Sequence, residues 1–189
     1  MADLLIRKAN YFDIDSIVKI YRAQINEIRA FKRSFIDMYR KHRFKIYVLI
    51  QDKDIIGFYT VEVINGLMPR KFVKGVKTIW VHFIAVSDHG KGYGRILMDN
   101  IEVMAYHDHY ITGIGLHSNL RSYPFYEKMG LVIKGKVKHG HLNKLYMYKD
   151  LDSASKYRLR IEDMQAKNFT AEDVAEGIVR LNKLKEMSK

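Results

Sequence analysis

The chain has 189 residues, of which 48% are hydrophobic and 29% charged, and a formal net charge of +12 at neutral pH. This length suits one domain with a real core, and the mixture is that of a folded protein rather than a disordered one. The absence of cysteine excludes disulfides, a thiol nucleophile and a cysteine-based zinc site. No apolar run reaches membrane-spanning length and no signal peptide is evident, so we expect a cytoplasmic protein without a membrane partner.

Strand and helix signals alternate through the first half of the chain. Asp13 or Asp15 can cap a helix whose apolar residues recur at helical spacing: Ile17, Ile20, Tyr21, Ile25 and Ile28. A hairpin turn over residues 52–54 joins two strands rich in β-branched and aromatic residues. The predicted elements are strands over residues 4–7, 45–50, 55–63 and 78–86, a helix from residue 13 or 15, and a short helix over residues 34–42.

In the second half of the chain, the sequence predicts a helix over residues 94–107, a strand over 113–117, a helix over 121–129 and strands over 132–137 and 144–148. This order indicates an α/β (α+β) fold, in which a mixed, mostly antiparallel central sheet carries helices on both faces.

Residues 151–189 are expected to form a helical C-terminal extension beyond a domain over residues 1–150. Thr170 and Asp173 have the spacing of a capping box. An apolar stripe at helical spacing follows, made of Val174, Ile178, Leu181, Leu184 and Met187. Such a stripe must be covered, either by the chain's own domain or by a second copy in a homodimer.

Residues 79–97, IWVHFIAVSDHGKGYGRIL, are the most informative segment. A buried strand is predicted to end at Val86, and a helix begins after Gly90, Gly92 and Gly94. Glycines leave backbone N–H groups accessible, and a helix N-terminus adds partial positive charge, so this turn can cradle an anion such as phosphate. Its spacing is neither that of a P-loop nor that of the G-x-G-x-x-G dinucleotide fingerprint. Taken alone, the glycines also fit a tight turn without a ligand.

The whole segment resembles motif A of the GNAT family of N-acetyltransferases, a strand ending L-A-V followed by [QR]-x-x-G-x-[GA]. Residues 84–86, IAV, match the strand end, and residues 89–94, HGKGYG, match the loop. His89 stands where the family usually has Gln or Arg, which weakens one side-chain contact to the pyrophosphate.

Residues 118–131, SNLRSYPFYEKMGL, resemble motif B of the same family, N-x-x-A-x-x-F-Y-E-K-x-G-F. Ser122 replaces Ala and Leu131 replaces Phe. The two motifs occur in the family's order, with a helix and a strand between them. The chain is therefore identified as a member of the GNAT family, with a GNAT domain over residues 1–150 and central strands that splay apart.

The resemblance implies an acyl-CoA-dependent N-acyltransferase that moves an acetyl group from acetyl-CoA directly to a primary amine, without a metal. Backbone N–H groups at the strand end would hold pantetheine and the thioester oxygen. Tyr126 matches the family's frequent general acid for the coenzyme A thiolate; its alternative role is to pack the motif B helix on the sheet. The implied coenzyme contacts are Ile84, Ala85, Val86, His89, Gly90, Lys91, Gly92, Tyr93, Gly94, Arg95, Asn119 and Tyr126.

The general base has several candidates. His82 is two residues before Ile84, so strand alternation predicts that their side chains share a face. An imidazole that titrates near pH ~6.5 suits general-base work, although a half-buried histidine bonded to a neighbouring strand is equally compatible. Glu62 on the adjacent strand is a second candidate, and ordered water is a third.

Paired histidines at residues 107 and 109 and at residues 139 and 141 have alternate spacing, but the reaction needs no metal and we expect surface residues. The basic excess lies in residues 29–45 and 132–149. In the family the corresponding connections border the acceptor groove, so an acidic or polyanionic acceptor is favoured. Aminoacyl-tRNA fits this charge, although a peptide, protein or small amine is the commoner acceptor. The alternative is a basic surface that serves only solubility or non-specific contact with nucleic acid.

A protein that binds acyl-CoA or nucleic acid on this scaffold without catalysis is the competing interpretation. The glycines and Tyr126, which a binding module does not need together, favour the enzyme.

Overall fold

The computed structural model describes residues 4–24, 35–37, 39–40, 44–69, 76–108, 110–139 and 142–151. Its elements are β1 (Leu4–Lys8), a 3₁₀ helix (Tyr11–Asp13), α1 (Ile14–Gln24), β2 (Lys45–Gln51), β3 (Asp54–Asn65), β4 (Lys77–Val86), α2 (Tyr93–His107), β5 (Ile111–Ser118), α3 (Tyr123–Lys128), β6 (Val132–His139) and β7 (Leu142–Asp150). Residues 35–37 and 39–40 are also helical, within the second predicted helix. Each predicted strand is found, with ends that differ by a residue or two.

The seven strands of the described residues form one sheet, in the order β1-β2-β3-β4-β5-β7-β6. Neighbouring strands are antiparallel except for β4 and β5, which are parallel and are connected by α2. A parallel pair needs such a crossover because its second strand must start at the same end as its first. The predicted mixed, mostly antiparallel sheet is confirmed.

The two faces of the sheet are covered by different helices, because successive side chains of a strand point to opposite faces. The α1-side core contains Ala9, Ile14, Ile17, Val18, Ile20, Phe35, Ile46, Val48 and Phe58. The α2-side core includes Leu49, Tyr59, Val61, Ile79, Val81, Val86, Leu97, Met98, Ile101, Ile114, Leu116, Tyr126, Leu131, Leu145 and Met147. The prediction of helices on both faces is therefore confirmed.

The parallel strands β4 and β5 separate part-way along their length. Their pairing begins at Lys77 and Ile111 and ends at Val81 and Leu116. Beyond this point β4 pairs only with β3, and the last residues of β5 pair only with β7. This opening, the β4–β5 split, is the separation of the central strands that the resemblance implied.

The predicted C-terminal extension covers residues 151–189, of which only Leu151 is among the described residues; its apolar stripe and the homodimer contact expected of it lie outside them. Residues 25 and 28 of the first predicted helix lie outside them too. Within the described part of the chain, no helix has both the length and the apolar character needed to cross a membrane.

Gly115 of β5 provides a test of the packing beside the split. A Cβ atom there would lie 2.9 Å from ring atoms of Trp80, which is buried, whereas a Cβ at Gly135 of β6 would meet nothing within 4 Å. We expect Gly115→Ala to lower the free energy of unfolding by about 1–3 kcal/mol through overpacking. Gly135→Ala is the matched control, with an expected change within about 0.5 kcal/mol. Urea denaturation measures the free energy of unfolding of both variants. Equal changes in the two would contradict the packing of Gly115 against the Trp80 ring.

Candidate active site

The turn after β4 exposes backbone N–H groups at the start of α2. Gly90 and Gly92 have φ angles of 81° and 80°, in the left-handed region that glycine adopts without strain. Gly92 is the N-cap of α2 and provides no side-chain cap; the bond from Ile96 N to Gly92 O, 3.1 Å long, begins the helix. The N–H groups of residues 93–95 therefore have no acceptor within the helix, and they lie where the helix dipole favours an anion.

The three glycines of this turn have different structural roles. A Cβ atom added to Gly90 or Gly92 would meet no protein atom within 4 Å, so both border open space. A Cβ added to Gly94 would lie 3.3 Å from the ring of Phe125. Gly94 thus allows α3 to pack close to the first turn of α2, while Gly90 and Gly92 leave the turn open at the start of α2.

His89 is held by the end of α1. Its Nε2 donates to Gln24 Oε1 at 2.7 Å, and the Gln24 amide nitrogen donates to the carbonyl of Val86 at 2.9 Å. The side chain that the sequence predicted to contact pyrophosphate is therefore hydrogen-bonded to α1. Lys91 and Arg95 are exposed beside it, and Arg95 lies 3.9 Å from Asp99 in an exposed ion pair. Such a pair contributes little to stability.

Two other residues that the sequence predicts to contact the coenzyme, Tyr93 and Asn119, make hydrogen bonds within the protein. Tyr93 donates its hydroxyl hydrogen to Gln51 Oε1 at 2.6 Å. Asn119 is exposed, and its carbonyl accepts from the N–H groups of Ser122 and Tyr123 at the start of α3. A coenzyme contact of the Asn119 side chain stays a prediction.

The side chains of β4 alternate between the two faces of the sheet, and this alternation is interrupted at His82. In the β3–β4 register Thr60 pairs with Phe83 and Val61 with Val81, so His82 is an extra residue in a β-bulge. Val81 belongs to the α2-side core and Ile84 packs against it, although the two are three residues apart. Phe83 packs against the α1-side core. The expectation that His82 shares a face with Ile84 is therefore wrong, because the bulge interrupts the alternation on which it rested.

His82 and Glu62, the two base candidates, are hydrogen-bonded to each other. The distance from His82 Nε2 to Glu62 Oε2 is 3.0 Å, and the side chains are 23% and 14% exposed. Glu62 follows Val61, whose side chain is in the α2-side core, so the pair lies on the α1 side of the sheet. The ring of Phe44 meets the imidazole edge-to-face, with centroids 4.9 Å apart.

Tyr126 lies on the opposite side of the sheet from His82. It belongs to the α2-side core, is 8% exposed and packs edge-to-face on Phe125 with centroids 5.0 Å apart. Burial raises the pKa of its phenol well above the ordinary value. Tyr126 is therefore protonated at neutral pH, as a proton donor must be.

The sequence reasoning missed an aromatic cluster beside the split. The His117 ring lies 4.9 Å from that of Trp80, and Tyr146 pairs with His117 across β5 and β7. Tyr146 donates to the carbonyl of Leu67 at 2.9 Å, and burial, with smaller effects of Tyr148 and Asp150, raises its pKa to about 12. A signal existed in the sequence: Gly115, a glycine inside a strand, marks the close approach of another group, here the Trp80 ring.

The basic residues of 132–149 differ in their surroundings. Lys149 is 2.7 Å from Glu102 and donates to the carbonyl of Met129, so it connects β7 with α2 and the end of α3. Lys134, Lys136 and Lys138 are exposed on the edge strand β6, where lysine discourages pairing with another sheet. Of the basic residues in 29–45, those at positions 29, 32, 33, 41 and 43 lie outside the described residues.

Of the histidine pairs considered for metal binding, residues 109 and 141 also lie outside the described residues. Within the described residues, no group of three or more His, Cys, Asp or Glu side chains could hold a metal ion.

Comparison with known proteins decides the family. The model of the acetyltransferase (GNAT) family matches residues 14–131, which include the β4–β5 split, the glycine turn and Tyr126. The chain belongs to the GNAT family. The sequence has no match among curated proteins.

Solved structures of GNAT acetyltransferases share this fold at low sequence identity. Ard1 from Thermoplasma volcanium is 18% identical, with a TM-score of 0.62 over 79% of this chain and 98% of its own. Arabidopsis thaliana NAA60 in complex with a bisubstrate analogue is 13% identical, with a TM-score of 0.68 over 79% of this chain and 100% of its own. The ribosomal-protein-S18-alanine N-acetyltransferase from Escherichia coli is 15% identical, with a TM-score of 0.62 over 79% of this chain and 95% of its own.

Gly92 provides the test of the cradle. Gly92→Ala places a methyl group in the open space of the turn, and we expect acetyl-CoA to bind at least about tenfold more weakly, a change of about 1.4 kcal/mol. Gly130→Ala is the matched control, because Gly130 also has a φ of 80° but lies after α3, away from the turn. Isothermal titration calorimetry measures both affinities. Equal affinities in the two variants would contradict the assignment of the cradle.

Proposed function

We propose that this protein transfers an acetyl group from acetyl-CoA directly to a primary amine. One observation carries the proposal: the β4–β5 split has the His82–Glu62 pair on one side of the sheet and Tyr126 on the other, with the glycine turn at the end of β4. This arrangement suits a reaction in which a base and an acid act on opposite sides of one carbonyl carbon.

The coenzyme is proposed to bind along the end of β4 and the turn. The N–H groups of residues 90–95 would hold its pyrophosphate, as the accessible first turn of α2 and the open space at Gly90 and Gly92 support. Exposed Lys91 and Arg95 add positive charge beside it. Backbone N–H groups of Ile84 and Val86 would hold the pantetheine arm and polarise the thioester oxygen.

The chemistry forms one N–C bond and breaks one C–S bond. A free amine with a pKa of about 10.4 is mostly protonated at neutral pH, so a base must first take its proton. His82 is proposed as that base, on the α1 side. The amine nitrogen then attacks the carbonyl carbon, and the thiolate that leaves takes a proton from Tyr126 on the α2 side. The second proton that the nitrogen loses as the amide forms restores the Tyr126 phenol through solvent.

A peptide, protein or small amine is the acceptor we favour. The structure of Arabidopsis thaliana Naa50 contains the bisubstrate analogue CoA-Ac-MVNAL, and another similar structure is that of an S18-alanine N-acetyltransferase. The described lysines of 132–149 give less support to a polyanion, because Lys149 is paired with Glu102 and the three exposed lysines of β6 suit an edge strand.

Native mass spectrometry with acetyl-CoA, followed by measurement of thiol release with an amine panel, tests the proposal. The panel contains short peptides, polyamines and bulk aminoacyl-tRNA. One coenzyme per chain and thiol release with a peptide or small amine are the expected results. Transfer only to aminoacyl-tRNA would overturn our choice of acceptor. A coenzyme adduct without release for any amine would favour a binding module, and the absence of an adduct would refute the proposal.

The role of Tyr126 is tested by Tyr126→Phe, which keeps the ring and removes the hydroxyl. General acid catalysis contributes about 100-fold or more to a rate, so kcat should fall by about that factor, much more than the affinity for acetyl-CoA falls. Tyr123→Phe, one turn earlier on α3, is the matched control and should keep its kcat. Steady-state kinetics and calorimetry measure the two effects. Full activity of Tyr126→Phe across the pH range would refute the acid role.

A further inference from the structure

His82 lies at the β-bulge of β4, on the side of the sheet opposite Val81 and Ile84. Alternation after Val81 directs the imidazole to that side, against Glu62 of β3, and the bulge then returns Ile84 to the face of Val81. The Phe44 ring restrains the imidazole further, with a centroid distance of 4.9 Å and an interplanar angle of 75°. A carboxylate and an aromatic edge thus limit the orientations of this half-buried ring.

The hydrogen bond also identifies the nitrogen that faces the carboxylate. Nε2 of His82 lies 3.0 Å from Glu62 Oε2. An ionised carboxylate can only accept hydrogen bonds, so Nε2 must carry the hydrogen. In a neutral imidazole only one nitrogen is protonated, and the lone pair is then on Nδ1.

We propose that Glu62 is a positioning residue that accepts the Nε2–H of His82 and thereby makes Nδ1 the proton-accepting atom of the imidazole. This inference rests on the proposed role of His82 as base. The proton from the acceptor ammonium goes to Nδ1, the amine lone pair becomes available for attack, and the Glu62 carboxylate stabilises the imidazolium that results. Glu62 itself neither receives the proton nor contacts the acceptor.

The tautomer is measured by NMR of the full chain labelled with ¹⁵N-histidine, with no substrate present. The His82 resonances are assigned from their loss in His82→Gln. In the wild type, neutral His82 should show a protonated Nε2 and an unprotonated Nδ1. Glu62→Met has a similar size but no acceptor, and we expect a mixture of both tautomers. Glu62→Gln keeps an acceptor oxygen, so it should retain the Nε2–H form.

Kinetics of the same variants separate positioning from mere structural support. Glu62→Met should lower kcat by about tenfold or more and leave the KM for acetyl-CoA unchanged, and Glu62→Gln should recover part of the lost kcat. An Nδ1–H tautomer in the wild type, or a Glu62→Met variant with unchanged tautomer and kcat, would overturn the proposal. An unchanged kcat in His82→Gln would also overturn it, because the base would then be another group. Failure of the wild type to bind acetyl-CoA would instead refute the proposed function, since the tautomer is measured without coenzyme.

Discussion

The loss of pairing between β4 and β5 is the constraint on which the rest of the site depends. Backbone N–H and C=O groups inside a protein must find partners, and a parallel pair that ends at Val81 and Leu116 leaves facing strand edges beyond that point. In the proposed complex a ligand with amide groups of its own, such as pantetheine, lies along this opening. The same separation leaves Val86 at the end of β4, where the chain turns through its glycines into α2. One irregularity of the sheet thus positions both the cradle and the proposed site of reaction.

The proposed acid and the proposed base lie on opposite faces of the sheet because of side-chain alternation along the strands, which the bulge in β4 interrupts. Tyr126 belongs to the α2-side core, whose low polarity keeps its phenol protonated. His82 follows Val81 of that core, so alternation places it with Glu62 on the other side, and the extra residue brings Ile84 back to the α2 side. The bulge is therefore the reason why His82 and Ile84 lie on opposite faces.

Local patterns were sufficient for most of the fold and for the turn. The apolar run before Val86 and the alternating glycines after it predicted the strand, the turn and the start of α2, because each of these depends on neighbouring residues alone. The bulge was not predictable, because an extra residue is defined only by the register with Thr60 and Val61 on β3. The contact between Glu62 and His82 depends on the same register. The packing role of Gly94 was hidden too, since it depends on Phe125 in a helix that follows much later in the chain.

Acetyl-CoA is proposed to bind in the β4–β5 split, with its pyrophosphate on the glycine turn. The first measurement is amide hydrogen exchange of the full chain, compared with and without acetyl-CoA. With the coenzyme bound, exchange should slow at Ile84, Val86 and residues 90–95, because these N–H groups then have acceptors, with no comparable change at the outer strands β1 and β6. Unchanged exchange at all of these positions in a chain saturated with acetyl-CoA would place the coenzyme elsewhere and refute this mode of binding.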